Sequence, residues 1–211
     1  MSEPISPTYR VAMRLCSPVV RWWGRARVEG LEHLPTSGPV LLAVNHDSQW
    51  DPVVVGVAAL RRRQVRALAK ASLWRTRGLG WILDGMGQIP LHRGSGSAGG
   101  MADAVRELRA GACLGIFPEG TLSRGRELRA RSGIGRLAQE VPEAAVVCVA
   151  VVDAVTIGRF PKRPRIVVRV FVPAGGGLRP GEEPAAFSAR LLDELREQAP
   201  RVVAGRGATR T

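Results

Sequence analysis

Pro39-Val-Leu-Leu-Ala-Val-Asn-His-Asp-Ser-Gln-Trp-Asp-Pro-Val-Val54 is the stretch on which the reading of this chain turns. Val40 to Val44 is a short, unbroken apolar run behind Ser37-Gly38-Pro39, the pattern of a buried strand. Asn45 to Trp50 is polar and without period, and Asp51-Pro52 opens the next apolar run. Proline fits the first turn of a helix and aspartate its cap, so the order is strand, short loop, helix. His46 then stands at the carboxyl edge of a strand and Asp51 at the mouth of the following helix, where the two side chains can meet. A carboxylate bonded to one imidazole nitrogen fixes the tautomer and leaves the other nitrogen free to accept a proton. Taken alone, the spacing is common by chance, and a capping Asp51 beside an ordinary loop histidine accounts for it equally well.

Outward from this stretch, apolar runs alternate with segments of helical period. Arg27 to Pro35 reads as a short strand and turn, Asp51 to about Leu60 as a helix, and Val65 to Lys70 as a strand. Ser72 to Leu83 is apolar and basic, with Trp74 and Trp81, and is expected to be helical. Gly87 to Arg93 is a strand emptying into Gly94-Ser-Gly-Ser97, and Met101 to Arg109 a helix. Ala112 to Phe117 is a strand, Ile134 to Glu140 a helix, and Ala144 to Val152 a β-branched strand. Arg165 to Val172 alternates arginine with apolar residues, which suggests an edge strand. A Gly/Pro-rich turn leads to a last helix, Ala185 to Gln198. These alternations predict one α/β domain with a largely parallel central sheet flanked by helices. The expected organisation is an amphipathic segment over 1–26, the domain over 27–199 and a disordered tail over 200–211.

The chain has 211 residues, is 45% hydrophobic and carries a formal net charge of +13, enough apolar content for a real core. Lys70 and Lys162 are the only lysines, so the basicity is almost wholly arginine, whose planar fork suits phosphates and carboxylates. Such a balance is compatible with nucleic acid, anionic lipid or acidic carriers and selects none of them. Cys16, Cys113 and Cys148 have neither the spacing of a zinc site nor that of a disulfide framework. The start lacks a signal-peptide pattern, and no run approaches the ~18 apolar residues of a membrane span. A cytoplasmic protein, held peripherally on the inner face of the cell membrane, is therefore expected.

The anchor is expected near the N-terminus. At helical spacing Arg10, Arg14, Arg21 and Arg25 share one sector, while Val11, Leu15, Val19, Trp22 and Trp23 fill the adjoining one. Tryptophan beside arginine is characteristic of a helix lying in a bilayer interface, although a helix packed on its own domain has the same period. Pro18 is expected to split the segment into two helices, with Ser17 capping the second.

In parallel sheets, ligands gather at the carboxyl ends of strands. Three strands here end in loops that carry chemistry: His46 with Asp51, His92-Arg93, and Glu119-Gly-Thr-Leu-Ser-Arg124. Each is weak alone; together they put a base, a carboxylate and two arginines on one rim, suited to a phosphate-bearing hydroxyl substrate.

Asn45-His46-x4-Asp51, then Gly87-Gln-Ile-Pro-Leu-His-Arg93, then Phe117-Pro-Glu-Gly-Thr121, in that order, resemble the glycerolipid and lysophospholipid acyltransferase family, in particular its 1-acylglycerol-3-phosphate type. The resemblance covers about residues 27–172. It implies an O-acyltransferase that moves a fatty acyl group from acyl-CoA or acyl-carrier protein to the free hydroxyl of a lysophospholipid. By the same resemblance, His46 is the general base and Asp51 holds it; Arg93 and Arg124 bind the acceptor phosphate. Glu119, Gly120 and Thr121 would shape the glycerol-phosphate pocket, and Lys70 matches a basic position between the first two motifs. No metal or bound cofactor is implied, and nucleic acid is not an expected partner.

Two positions depart from the family pattern. Leu122 stands where an arginine is usual, and Val147-Cys148-Val149 where a Val-Pro-Val context is usual. Both leave room for an acceptor other than 1-acylglycerol-3-phosphate, such as another lysolipid or a lipid alcohol. A reading of a different class, a non-enzymatic basic module on anionic lipid or nucleic acid, would require arginines spread over a face with aromatic platforms for bases.

Overall fold

The computed structural model describes residues 4–91 and 97–201. Seven strands form one sheet: β1 (Arg27–Glu29), β2 (Val40–Val44), β3 (Arg66–Lys70), β4 (Ile89–Leu91), β5 (Cys113–Ile116), β6 (Ala145–Val152) and β7 (Val167–Phe171). Their order is β1-β7-β6-β2-β5-β3-β4, and every neighbouring pair is parallel except β6 with β7. The expected largely parallel α/β domain is therefore present. β2 lies at the centre, between β5 and β6, and all five of its residues are buried. That position explains its unbroken apolar sequence, since a strand covered on both faces has no polar side to show.

Among the described residues six α-helices cover the sheet: α1 (Pro7–Pro18), α2 (Asp51–Ala59), α3 (Leu79–Gly85), α4 (Ser97–Arg109), α5 (Gly133–Glu140) and α6 (Pro184–Gln198). Alternate residues of β2 feed two cores, as the period of a strand requires. Val40, Leu42 and Val44 pack with Tyr9 and Met13 of α1 and with Val54 and Val57 of α2. Leu41 and Ala43 face Leu108 of α4, Leu137 of α5 and Leu191 of α6. Cys113 is buried in the first core and Cys148 in the second, where burial pushes the Cys148 thiol up to about 12. No helix among the described residues is long and apolar enough to cross a membrane.

Helix α1 is packed on the domain along one side only. The Tyr9 hydroxyl donates to Gly56 O and accepts from Val65 N, both at 3.3 Å. Gly56 permits that approach: a Cβ there would come within 2.5 Å of Met13 Sδ. The opposite side of the helix leaves Val11, Leu15 and Val19 exposed, and Trp22 beyond them.

Three expectations are corrected. Pro18 does not divide the segment; it stays helical at φ −60°, and the chain widens into a π turn over Val19–Trp23, closed by Gly24 N to Val19 O. The widening accommodates a ring that cannot donate to the turn before it, and Ser17 caps nothing. The strand β7 is not an edge, because β1 pairs along its outer side. Its arginine alternation instead reflects one solvated face, where Arg169 reaches Glu29 of β1 at 3.2 Å. Finally, α2 begins after Trp50 with no side-chain cap, and the Asp51 carboxylate turns back into the loop rather than onto the helix. Residues 202–211 of the expected tail lie outside the described residues.

Candidate active site

The loop after β2 is built so that Asn45 faces inward and His46 outward. Asn45 is buried and hydrogen-bonds β6 as a strand would, accepting from Val151 N at 2.7 Å and donating to Val151 O at 2.9 Å. With that residue clamped, His46 emerges at the carboxyl edge of the sheet, its ring stacked on Phe117 at 4.1 Å between centroids.

His46 Nδ1 lies 3.3 Å from Asp51 Oδ2, and the same oxygen accepts the backbone N–H groups of Asp47 and Ser48 at 2.7 Å each. Three donors on one oxygen fix the carboxylate, and the carboxylate fixes the ring. Oδ1 of Asp51 is buried without a hydrogen-bond partner among the described residues. Burial raises the Asp51 carboxyl above its ordinary value, outweighing the contacts with His46 and the backbone. Nε2 of His46 has no hydrogen-bond partner among the described residues, and the side chain is 17% exposed. The arrangement is an oriented imidazole whose outer nitrogen faces an open rim.

The loop after β5 holds His46 by its backbone. His46 N donates to Glu119 Oε2 at 2.7 Å, and Ser123 N donates to His46 O at 2.8 Å. Glu119 is buried and its other oxygen pairs with Arg196, which also spans both oxygens of Asp47 at 2.8 and 3.0 Å. Ser123 Oγ donates to Asp47 as well. For Asp47, burial pushes the carboxyl up, yet hydrogen bonds from Arg196, Ser123 and Asn45 prevail and hold it below its ordinary value.

The positions singled out in the sequence fall into five groups. His46 and Asp51 meet. Glu119 turns inward to the His46 backbone and to Arg196. Gly120, Thr121 and Arg124 are exposed on the loop beside them, and Gly120 and Arg124 both have left-handed φ, +66° and +50°. Lys70 is exposed at the carboxyl end of β3. His92 and Arg93 lie outside the described residues. The sequence reading does not single out Asp47 or Arg196. The available signal for Arg196 was its place on α6, next to the buried Leu192 and Leu195 and thus at the border of the packed face.

A family model described as Acyltransferase matches residues 25–152, a span that contains β1 to β6 and every residue of this site except Arg196. The chain belongs to the acyltransferase family. It is 32% identical over 123 residues to a 1-acyl-sn-glycerol-3-phosphate acyltransferase of Borreliella burgdorferi, covering 56% of this chain and 48% of that protein. Against the enzyme of the same name from Bacillus subtilis it is 25% identical over 113 residues, covering 54% of this chain and 56% of that protein. A lyso-ornithine lipid O-acyltransferase of Pseudomonas aeruginosa is 32% identical over 139 residues, covering 61% of this chain and 50% of that protein. The chain thus spans about half the length of the curated relatives it matches. The fold is similar to the crystal structure of the 1-acyl-sn-glycerophosphate acyltransferase PlsC from Thermotoga maritima. The TM-score is 0.60 and the sequence identity 16%, over 88% of this chain and 79% of that one.

Proposed function

We propose that this protein is an O-acyltransferase that transfers a fatty acyl group from a thioester donor to the free hydroxyl of a lysophospholipid. The observation that carries the reading is the His46–Asp51 pair, with Nδ1 engaged and Nε2 open, in a chain of this family. Nε2 takes the proton of the acceptor hydroxyl as its oxygen attacks the thioester carbonyl. The tetrahedral intermediate collapses and expels the thiolate, which recovers the proton from the imidazolium. Asp51 stabilises the imidazolium and holds the tautomer without leaving its own bonds. The ester and the free thiol are the products, and no covalent acyl-enzyme is formed.

The donor is acyl-CoA or acyl-carrier protein. Arg124, Arg126, Arg129 and Arg131 are exposed on the loop that leaves the site, and none is in an ion pair with a described carboxylate. Free guanidinium groups of this kind suit the phosphates of either donor. The acceptor is 1-acylglycerol-3-phosphate, with Arg93 and Arg124 on its phosphate. A second acceptor class, a lysolipid with another head group, is favoured by Leu122 in place of the usual arginine.

Both lipid tails require a bilayer surface, and an exposed aromatic patch suits docking on one. Trp22 is 75% exposed and Phe160 83%, with Arg163 over the Trp22 ring at 5.6 Å and Trp23 stacked on Phe160 at 5.9 Å. Trp23 Nε1 donates to Ile157 O at 2.9 Å, and Ser48 of the site loop donates to Ala154 O at 3.2 Å. The aromatic patch therefore adjoins the catalytic loop through residues 154–157. The test is thiol release with labelled acyl-CoA or acyl-carrier protein against a panel of lysolipids in vesicles. Acyl transfer to at least one of them is expected. Salt-dependent retention of DNA with no transfer to any acceptor would replace this reading with that of a basic binding module.

A further inference from the structure

We infer that Arg196, carried by the last helix from outside the region that defines the family, is a positioning residue that sets the orientation and proton affinity of His46. The inference rests on the function proposed above for that site. Arg196 touches neither ring nitrogen of His46; it acts through two carboxylates that bracket the residue. One is Glu119, which accepts the His46 backbone N–H at 2.7 Å. The other is Asp47, the next residue in the chain, whose own N–H goes to Asp51. A single guanidinium closes the gap between them, reaching Glu119 with Nη2 and Asp47 with both Nη1 and Nη2.

Burial makes this bridge consequential. The side chain of Glu119 is 0% exposed, that of Arg196 8% and that of Asp47 11%, so each charge depends on the others for compensation. Burial pushes the Arg196 guanidinium down, but Asp47 and Glu119 together hold it above its ordinary value. The charged groups bonded to His46 or to its immediate partners are Asp51 from α2, Asp47 from the same loop, Glu119 from the loop after β5, and Arg196 from α6. Three are carboxylates and one is a cation. Taking the cation away leaves two uncompensated carboxylates, one bonded to the His46 backbone and one on the next residue, and negative charge so placed favours the imidazolium and raises the pH at which the base becomes free. It also removes one of the ties between the two loops that hold the His46 backbone, so the ring is aimed less firmly at the acceptor.

The packing of α6 is what brings the bridge into place. Phe187, Leu191 and Leu195 seat the helix on the second core, and its last turn delivers Arg196 to the carboxyl edge of β2 and β5.

The experiment compares the full-length wild type with Arg196→Met, Arg196→Lys, and Arg196→Met combined with Asp47→Asn. Each is checked for folding by circular dichroism and thermal melting. For Arg196→Met, kcat is expected to fall on the order of tenfold to a hundredfold with little change in acceptor KM. The acid limb of its pH–rate profile should move up by about half a pH unit or more. Arg196→Lys keeps the charge but cannot fork between two carboxylates, so its limb stays near the wild type while kcat is intermediate. Removing one stranded carboxylate in the double variant should return the limb toward the wild type, and this variant carries the test if Arg196→Met alone does not fold. Proton NMR titration of the His46 ring, assigned with His46→Ala, must show the same upward shift without any substrate. A wild-type protein inactive on every donor and acceptor would refute the proposed function while leaving the NMR shift to decide the role of Arg196. A folded Arg196→Met protein with wild-type kcat and an unmoved His46 titration overturns the inference.

Discussion

Replacing Leu15 and Trp22 together by serine separates membrane docking from folding. Both side chains are largely exposed, Leu15 at 74% and Trp22 at 75%, and Trp22 meets the domain through Arg163 over its ring, so the melting temperature should change little. A tryptophan offers about 200 Å² to bury, of which about 150 Å² is still wet here. At ~25 cal/mol per Å², full transfer of that surface from water gives about 4 kcal/mol. An interfacial side chain enters only part of the way, so about 2 kcal/mol is a fair share for Trp22, with about 1 kcal/mol for the smaller Leu15. Together they amount to about 3 kcal/mol, or roughly a hundredfold in vesicle partitioning. Arg10, Arg14, Arg21 and Arg25 remain exposed in the variant and add about 1 kcal/mol each near an anionic surface, so residual binding should be strongly salt-dependent. Co-sedimentation with anionic vesicles at low and high salt measures both effects. Acyl transfer to micellar acceptors should survive far better than transfer to vesicle-embedded ones. A double variant that pellets as fully as the wild type would refute the docking role of the stripe and move the anchor to Trp81, which is 77% exposed on α3. Deleting residues 1–26 is a poorer test, because it would also strip Tyr9, Met13 and Val20 from the core.

His46→Ala should lower kcat by ~10²–10⁴-fold with circular dichroism unchanged, and transfer at the wild-type rate would eliminate His46 as the base. Asp51→Asn should lower kcat as well, because an amide cannot compensate the imidazolium; an unchanged pH–rate profile would rule out that role. Arg93→Ala and Arg124→Asn are each expected to raise the acceptor KM while leaving the donor KM nearly unchanged. Asparagine is chosen at 124 because it tolerates the φ of +50°. Equal effects on both substrates would take these arginines out of the acceptor pocket. Asp47 supplies a pH dependence of stability. Its folded-state value is depressed, so its contribution is present above the ordinary carboxylate value of about 4 and is lost as pH falls through the folded value. Melting temperature plotted against pH should therefore drop less steeply in acid for Asp47→Asn than for the wild type, and parallel curves would refute the assignment.

Local chemistry was enough to read the strands, because an apolar run between turn residues has few other places to go. Val40 to Val44 and Ala145 to Val152 declare themselves as buried strands, and the loop after Val44 announces a strand-to-helix turn with His46 on its rim. The parallel arrangement followed from the alternation of strands with helices. What failed, or went unseen, depended on partners distant in the chain. Whether β7 was an edge hinged on β1, which lies well over a hundred residues earlier in the chain and leaves no mark on the composition of β7. At Pro18 the chain stays helical and runs on into a π turn whose Val20 is buried in the first core, a tertiary contact that the proline itself does not announce. Asp51 looked like a helix cap because its neighbours in sequence are helical, but its bonds go to the loop and to His46. Arg196 is the clearest case. Its type and position suit the last turn of any helix, and only the closure of α6 over the second core brings its guanidinium between Asp47 and Glu119. Periodicity and turn chemistry act over a few residues and can be read along the chain. Charge pairing acts through space, and the sum of the packing decides which charges meet.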